Sequence, residues 1–132
     1  MIRLRRLDHF VLNVSSVEEA ADFYARVLGF DVDRTRAGRV FLRQGILRIN
    51  LQDSVHAPVR RAANPQAGAA DFCYEIEGPI EDAIAHLGTC GVAVEEGPVQ
   101  RNGAKGAMTS VYFRDPDRNL VEFSVYGESR SA

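Results

Sequence analysis

Apolar and polar residues alternate along 7–14, with Phe10, Leu12 and Val14 on one face and His9, Val11 and Asn13 on the other. That two-residue period predicts a half-buried strand. Ser16 and Glu19 follow as a Ser-x-x-Glu capping box. Val17, Ala20, Ala21, Tyr24, Val27 and Leu28 then recur at helical spacing, and Gly29 supplies the stop. A short strand is expected at 30–32, and two more at 40–43 and 46–52, joined around Gln44-Gly45. In the last of these Leu47, Ile49 and Leu51 oppose Arg48, Asn50 and Gln52. Residues 53–69 have no periodicity and contain Pro58, Pro65, Gly68 and the pair Arg60-Arg61. Such a run is a linker or a functional loop, and His56 within it is expected to face solvent.

The pattern then restarts. Residues 70–76 alternate, with Asp71, Cys73 and Glu75 on one face. Pro79 suits the first turn of a helix whose stripe is Ile80, Ala83, Ile84 and Leu87 and whose stop is Gly91. A short strand is expected at 92–94 and a Gly-rich loop at 95–107, carrying Arg101 and Lys105. The chain closes on strand, turn and strand around Asp115-Pro116-Asp117, which is strong turn chemistry. In the last strand Val121, Phe123 and Val125 oppose Glu122, Ser124 and Tyr126.

Subtraction exposes an internal repeat. Asp71 lies 71 − 9 = 62 residues after His9, and Gly91 lies 91 − 29 = 62 after Gly29. Glu122 lies 122 − 50 = 72 after Asn50, and Phe113 lies 113 − 41 = 72 after Phe41. The fold class is therefore α+β: two βαβββ modules in a curved mixed sheet around a central pocket. Module one is expected over about 5–53, the linker over about 54–69 and module two over about 70–127 of a single 132-residue domain. Helices on one sheet face would cover Phe10, Leu12, Val14, Leu47, Ile49 and Leu51, and likewise Phe72, Tyr74, Ile76, Val121, Phe123 and Val125. His9, Asn50, Asp71 and Glu122 occupy corresponding places on the opposite faces, and a pseudo-two-fold axis would make them converge. A mid-strand carboxylate such as Glu122 is costly to bury unless a cation or a donor meets it.

Composition narrows the classes. A net charge of −2 gives no reason to expect nucleic acid or a membrane surface, and no apolar run approaches membrane-spanning length. Arg3, Arg5 and Arg6 are too brief for a transit peptide. Cys73 and Cys90 have no metal or redox spacing, so a reducing cytoplasm is the expected compartment. Edges of two small sheets need cover, which predicts a homodimer with modules paired within or across chains.

Several of these residues carry a family resemblance. Leu7-Asp8-His9, the helix end Phe23-Tyr24 with Leu28-Gly29-Phe30, and Phe113-Arg114-Asp115-Pro116-Asp117-Arg118-Asn119-Leu120-Val121-Glu122 resemble the vicinal oxygen chelate superfamily. That superfamily includes glyoxalase I, fosfomycin-resistance enzymes, extradiol dioxygenases and bleomycin-binding proteins. The stretch from Gly97 to Gly106, followed by Ser110 to Leu120, resembles the small glyoxalase-domain-containing protein 5 type. The resemblance spans the chain after Arg6. It implies a divalent metal (Mn, Fe, Ni or Zn), held by His9, Asp71 and Glu122. Glu122 would be the catalytic carboxylate, and Asn50 and Gln52 would bind substrate; Arg101 and Lys105, read from the residues alone, are either surface charges on the Gly-rich loop or hold an anionic group of the substrate. The implied chemistry is bidentate chelation of a small oxygen-rich molecule with enolate or alkoxide stabilisation, in a lyase, isomerase or transferase. Asn50 and Asp71 depart from the ligands of glyoxalase I, and Asp71 from the His of fosfomycin-resistance enzymes. A metal-free sequestering protein of bleomycin-resistance type therefore stands as the alternative. An extradiol-dioxygenase-like oxidoreductase is third, since only one His maps to the site.

Overall fold

Each half of the chain lays one strand beside the last strand of its own three-stranded meander and carries a helix on the same sheet. The computed structural model describes residues 1–56 and 60–127. It divides the chain into two compact units, Met1–Ala69 and Ala70–Ala132. Unit 1 contains β1 (Phe10–Val14), α1 (Val17–Leu28), β2 (Asp31–Arg34), β3 (Val40–Gln44) and β4 (Leu47–Asp53). Its sheet has the order β1-β4-β3-β2, with β1 parallel to β4 and the other pairs antiparallel. Unit 2 contains β5 (Asp71–Glu75), α2 (Ile80–Thr89), β6 (Glu96–Gly103), β7 (Gly106–Arg114) and β8 (Leu120–Tyr126). Its order is β5-β8-β7-β6, with β5 parallel to β8. Two βαβββ modules of an α+β protein are thus present. Among the described residues, no helix is long and apolar enough to cross a membrane.

Local chemistry sets the helix ends. Ser16 Oγ accepts from the Glu19 amide at 3.2 Å, and satisfies one of the orphan donors that open α1. Gly29 sits at φ 76°, and the Gly29 and Phe30 amides reach the Ala25 and Tyr24 carbonyls at 3.2 Å. That left-handed cap favours a residue without Cβ. Helix α2 has no side-chain cap, but Glu81 and Asp82 in its first turn oppose the helix dipole. Tyr24, Leu12, Leu42 and Ile49 are buried in unit 1, and Ile80, Leu87, Phe113 and Val121 in unit 2. Each such side chain contributes roughly 1.5–3 kcal/mol of transfer free energy. Leu47, expected in the core, is 41% exposed, because its place at the mouth of the β3–β4 hairpin lies beyond the reach of α1. Phe10, Phe72, Tyr74 and Ile76 are only partly covered, as residues on or beside the edge strands β1 and β5.

Three expectations are corrected. Residues 92–94 form no strand, and the supposed loop at 95–107 contains β6 and the start of β7. β6 is an edge strand with mostly exposed side chains, so its pairing comes from backbone bonds that leave no apolar alternation to read. It also bends at a register shift between Glu96 and Val99. There Gly97 has φ 116°, and a Cβ would lie 2.5 Å from the Ser110 carbonyl oxygen. The third correction concerns the repeat. Val11 pairs with Asn50 and Cys73 with Glu122, which upholds the offsets of 73 − 11 = 62 and 122 − 50 = 72. Phe41, however, stands opposite Asn50 as Tyr112 stands opposite Glu122, an offset of 112 − 41 = 71. Phe113 corresponds to Leu42 instead. It lies fully in the core, whereas Phe41 lies on the other face.

Candidate functional site

In unit 1 the face away from α1 carries His9, Val11 and Asn13 beside Arg48, Asn50 and Gln52. The parallel register places Val11 against Asn50 and Asn13 against Gln52. Gln52 Nε2 donates to Asn13 Oδ1 at 2.8 Å. A cavity of about 720 Å³ opens on this face, lined among others by His9, Arg39, Phe41, Asn50, Gln52 and His56. That volume suits a small organic molecule.

The groups around the cavity are set by their neighbours. His9 Nδ1 lies 2.8 Å from Asp8 Oδ2. The hydrogen bond from His9 holds the Asp8 carboxyl below its usual range, with Arg6 adding a weaker pull at 3.8 Å. An ionised Asp8 places the shared proton on Nδ1 and turns Nε2 outward. Asp53 accepts from the Val55 amide at 2.8 Å and lies 3.1 Å from His56 Nδ1. The His56 contact is the main cause of its lowered pKa. His56 therefore has a partner on the cavity wall, although its side chain is 81% exposed as expected for a solvated residue. Arg48 Nε donates to Asn50 Oδ1 at 2.9 Å, and its guanidinium lies 4.0 Å from the Phe41 ring centroid. Arg39 lies over the same ring at 5.4 Å.

In unit 2 the corresponding face is acidic and rich in hydroxyls. Asp71 stands exposed on β5, and Cys73 stands opposite Glu122. Ser124 Oγ donates to Glu122 Oε2 at 3.1 Å, and lies 2.6 Å from Ser110 Oγ and 3.1 Å from Cys73 Sγ. A hydroxyl has one proton and two lone pairs, so Ser110 and Cys73 donate to Ser124 while Ser124 donates to Glu122. Glu122 is thereby the terminal acceptor of a half-buried chain. Among the described residues of unit 2, no cation lies within ion-pair distance of it. Burial raises the Cys73 thiol pKa, which keeps it protonated and disfavours a nucleophilic role. Tyr112, opposite Glu122, is likewise raised chiefly by burial.

Arg101 and Lys105 have partners already. Arg101 donates to Tyr112 Oη at 3.2 Å, to the Gln100 carbonyl at 3.0 Å and to Glu96 at 2.9 Å. It lies on β6, not on a loop. Lys105, in the β6–β7 turn, meets Glu75 at 2.8 Å and lies 4.6 Å from the Tyr126 ring centroid. An incoming anion would compete with Glu96 for Arg101 and with Glu75 for Lys105. Sequence reasoning gave no role to Arg39, Phe41 or Asp8. Arg48, by contrast, already stood in the alternating row with Asn50 and Gln52.

The metal expectation meets a geometric test. His9 is the sole member of the proposed ligand set in unit 1, where the Asn50 carbonyl oxygen is bonded to Arg48. Unit 2 supplies two carboxylates, Asp71 and Glu122, on one sheet face. Among the described residues, no group of three or more His, Cys, Asp or Glu side chains is placed to hold a metal ion. The three expected ligands are split between the two units, and neither unit by itself supplies the full set.

Residues 6–123 match the model of the Glyoxalase/Bleomycin resistance protein/Dioxygenase superfamily. A virulence protein of Salmonella typhimurium is 40% identical over 92% of this chain and 84% of its own length. Its crystal structure gives a TM-score of 0.91 at 38% identity, covering 95% of this chain and 99% of that one. A glyoxalase domain-containing protein of Mycosarcoma maydis is 40% identical over 98% of this chain and 73% of its own. An integron cassette protein from V. cholerae gives a TM-score of 0.92 at 41% identity, covering 96% of this chain and 99% of the other.

Proposed function

This chain belongs to the glyoxalase, bleomycin resistance protein and dioxygenase superfamily, and we propose that within it the chain binds a small oxygen-rich molecule without requiring a metal. The observation that carries this reading is the unit 1 cavity of about 720 Å³, whose lining combines the amides of Asn50 and Gln52, the imidazole of His9 and the guanidinium of Arg39 over the Phe41 ring. Such a lining orients a polar molecule by hydrogen bonds and stacking, and needs no cation to do so. Asn50 and Gln52 are the polar contacts in this reading. Arg101 and Lys105 would take part only after exchanging their carboxylate partners. A homodimer belongs to the same proposal, on the ground that each sheet ends in edge strands; sedimentation showing only monomer at micromolar concentration would remove it.

A second reading keeps the metal-dependent enzyme, with His9, Asp71 and Glu122 as ligands and Mn, Fe, Ni or Zn as the ion. It draws on Glu122, a carboxylate with a hydroxyl donor and, among the described residues of its unit, no cation within ion-pair distance, and on the Asp8–His9 pair, which leaves the other imidazole nitrogen available. A bound metal would act as Lewis acid. The residues' own share would be orientation of the imidazole by Asp8 and of the carboxylate by Ser124.

Calorimetric titration with Mn²⁺, Ni²⁺ and Zn²⁺ of wild type, Asn50→Glu and Glu122→Ala separates the two. On the metal-independent reading all three proteins behave alike. Stoichiometric binding by wild type that weakens in Glu122→Ala and tightens in Asn50→Glu would instead establish the metal-dependent enzyme. Metal binding in that case should weaken at acidic pH, because a ligating imidazole must be neutral.

A further inference from the structure

We infer that Asn50 on the wall of the unit 1 cavity, together with Arg48, which lies outside the lining but is bonded to Asn50, forms a carboxylate-binding subsite, with Arg39 and Phe41 of the lining beside it. The inference rests on the reading that this cavity is the ligand site, and it names the class of molecule: a small organic acid.

The first observation is a contrast among the arginines. Arg34 meets Glu18 at 2.6 Å, and Arg43, Arg101 and Arg114 meet Asp33, Glu96 and Glu95 at 2.9 Å each. Arg39 and Arg48 have no carboxylate within ion-pair distance among the described residues, and both lie against Phe41. The one hydrogen bond from the Arg48 guanidinium among those residues runs from Nε to Asn50, which leaves both terminal nitrogens to donate.

The second observation is independent of charge. Asn50 is only 9% exposed, yet among the described residues its Nδ2 has no acceptor. A buried amide donor without a partner carries a desolvation cost that an arriving acceptor relieves. Asn50 lines the cavity, so that acceptor can come from a ligand.

These donors call for a planar oxyanion. Through the Arg48–Asn50 bond the guanidinium's free N–H groups and the carboxamide N–H₂ belong to one bonded pair. Several donors in one place, among them a planar guanidinium fork, suit the two oxygens of a carboxylate better than a point charge would. The Phe41 ring holds Arg48 at 4.0 Å, which limits the rotamer freedom lost on binding. No covalent step is involved.

The test is a ¹⁵N-NMR titration with mandelate, its neutral amide mandelamide, and inorganic phosphate. Mandelate should move the Asn50 side-chain and Arg48 Nε signals saturably, with mandelamide much weaker. Loss of a charge-assisted bond in Arg48→Gln should raise the mandelate Kd about tenfold. Arg39→Gln should raise it less, and keeps the test open if Arg48→Gln fails to fold. Arg43→Gln, a change at an ion-paired arginine, should leave the Kd unchanged. Equal binding of mandelate and mandelamide, or an unchanged Kd in both groove variants, overturns the subsite while leaving the cavity as a ligand site. Phosphate binding at these residues as tightly as mandelate overturns the carboxylate assignment. If no probe moves any cavity signal, both the subsite and the cavity reading fall.

Discussion

Between β3 and β4 the chain reverses on two exposed residues, Gly45 and Ile46, whereas between β7 and β8 it uses five, 115–119. The longer turn is a buried polar knot. Asp115 accepts from the Asp117 and Asn119 amides at 3.0 and 2.9 Å and from Asn119 Nδ2 at 2.8 Å. Asn119 Oδ1 accepts from the Ala70 amide at 2.8 Å, which ties the turn to the start of β5. The same connection in the same plan is thus made by a minimal hairpin in one unit and by a side-chain network in the other. The Asp-Pro-Asp-x-Asn run that stands out in the sequence is therefore structural: it anchors strands and leaves Glu122 a few residues beyond it. The site faces differ in the same way. Equivalent register positions hold an amide bonded to Arg48 in unit 1 and a carboxylate bonded to Ser124 in unit 2. Backbone pairing defines the position, and the chemistry there is free to differ.

The largest expected effect separates Phe113 from Phe41, which a simple offset of 72 would equate. Phe113 is buried and meets Phe123 edge to face at 4.8 Å. Phe113→Ala should cost about 4 kcal/mol in urea unfolding. Phe41→Ala, on the open face, should cost only about 1 kcal/mol. Equal losses would mean that the two residues share an environment after all and that the one-residue correction is mistaken.

Next in size is the pair of turns. Asn119→Ala strands the Ala70 amide and one Asp115 oxygen, and should cost about 2 kcal/mol. Gly45 has φ 57° with open space around it, so Gly45→Ala should cost about 1 kcal/mol, by backbone strain alone. A reversal of this order in chemical denaturation would show that the knot is dispensable.

The smallest contrast is in pH. Burial raises the Tyr74 pKa, so above about pH 10 the unfolded chain loses a proton that the folded chain keeps, and stability falls as pH rises. Tyr112 acts in the same direction, and both tyrosines belong to unit 2. On the acid side the lowered carboxyls of Asp8, Glu18 and Asp53 in unit 1 and Glu95 in unit 2 stabilise the fold above their ordinary pKa. That support is lost as pH falls through the depressed values, and it is slight because three of the four are exposed and Asp53 is half-exposed. Thermal unfolding across pH should therefore decline gently in acid and more steeply in alkali. An alkaline limb that Tyr74→Phe leaves unaltered would assign it to other groups.

Alternation, capping and turn residues were enough to place both helices, most of the strands and the repeat, because each is a local property. Ser16 caps α1 wherever α1 packs, and Val121, Phe123 and Val125 share a face in any strand. The edge strand β6 was illegible because its pairing runs through backbone atoms and its side chains meet solvent. The one-residue slip between Phe41 and Phe113 was equally invisible, since turn length reveals register only once the strands are paired. For the candidate site, the sequence by itself determined which residues share the polar faces: His9 with Asn50 in one half, Asp71 with Glu122 in the other. Only the tertiary structure decided which polar groups already have partners. Arg101 is matched by Glu96 on its own strand and Lys105 by Glu75 at the end of β5, while Arg48 is bound to an amide and keeps donors to spare. That distinction depends on side-chain geometry, since even Arg101–Glu96 and Arg48–Asn50, five and two residues apart, are settled by which way the side chains turn and not by their spacing in the sequence.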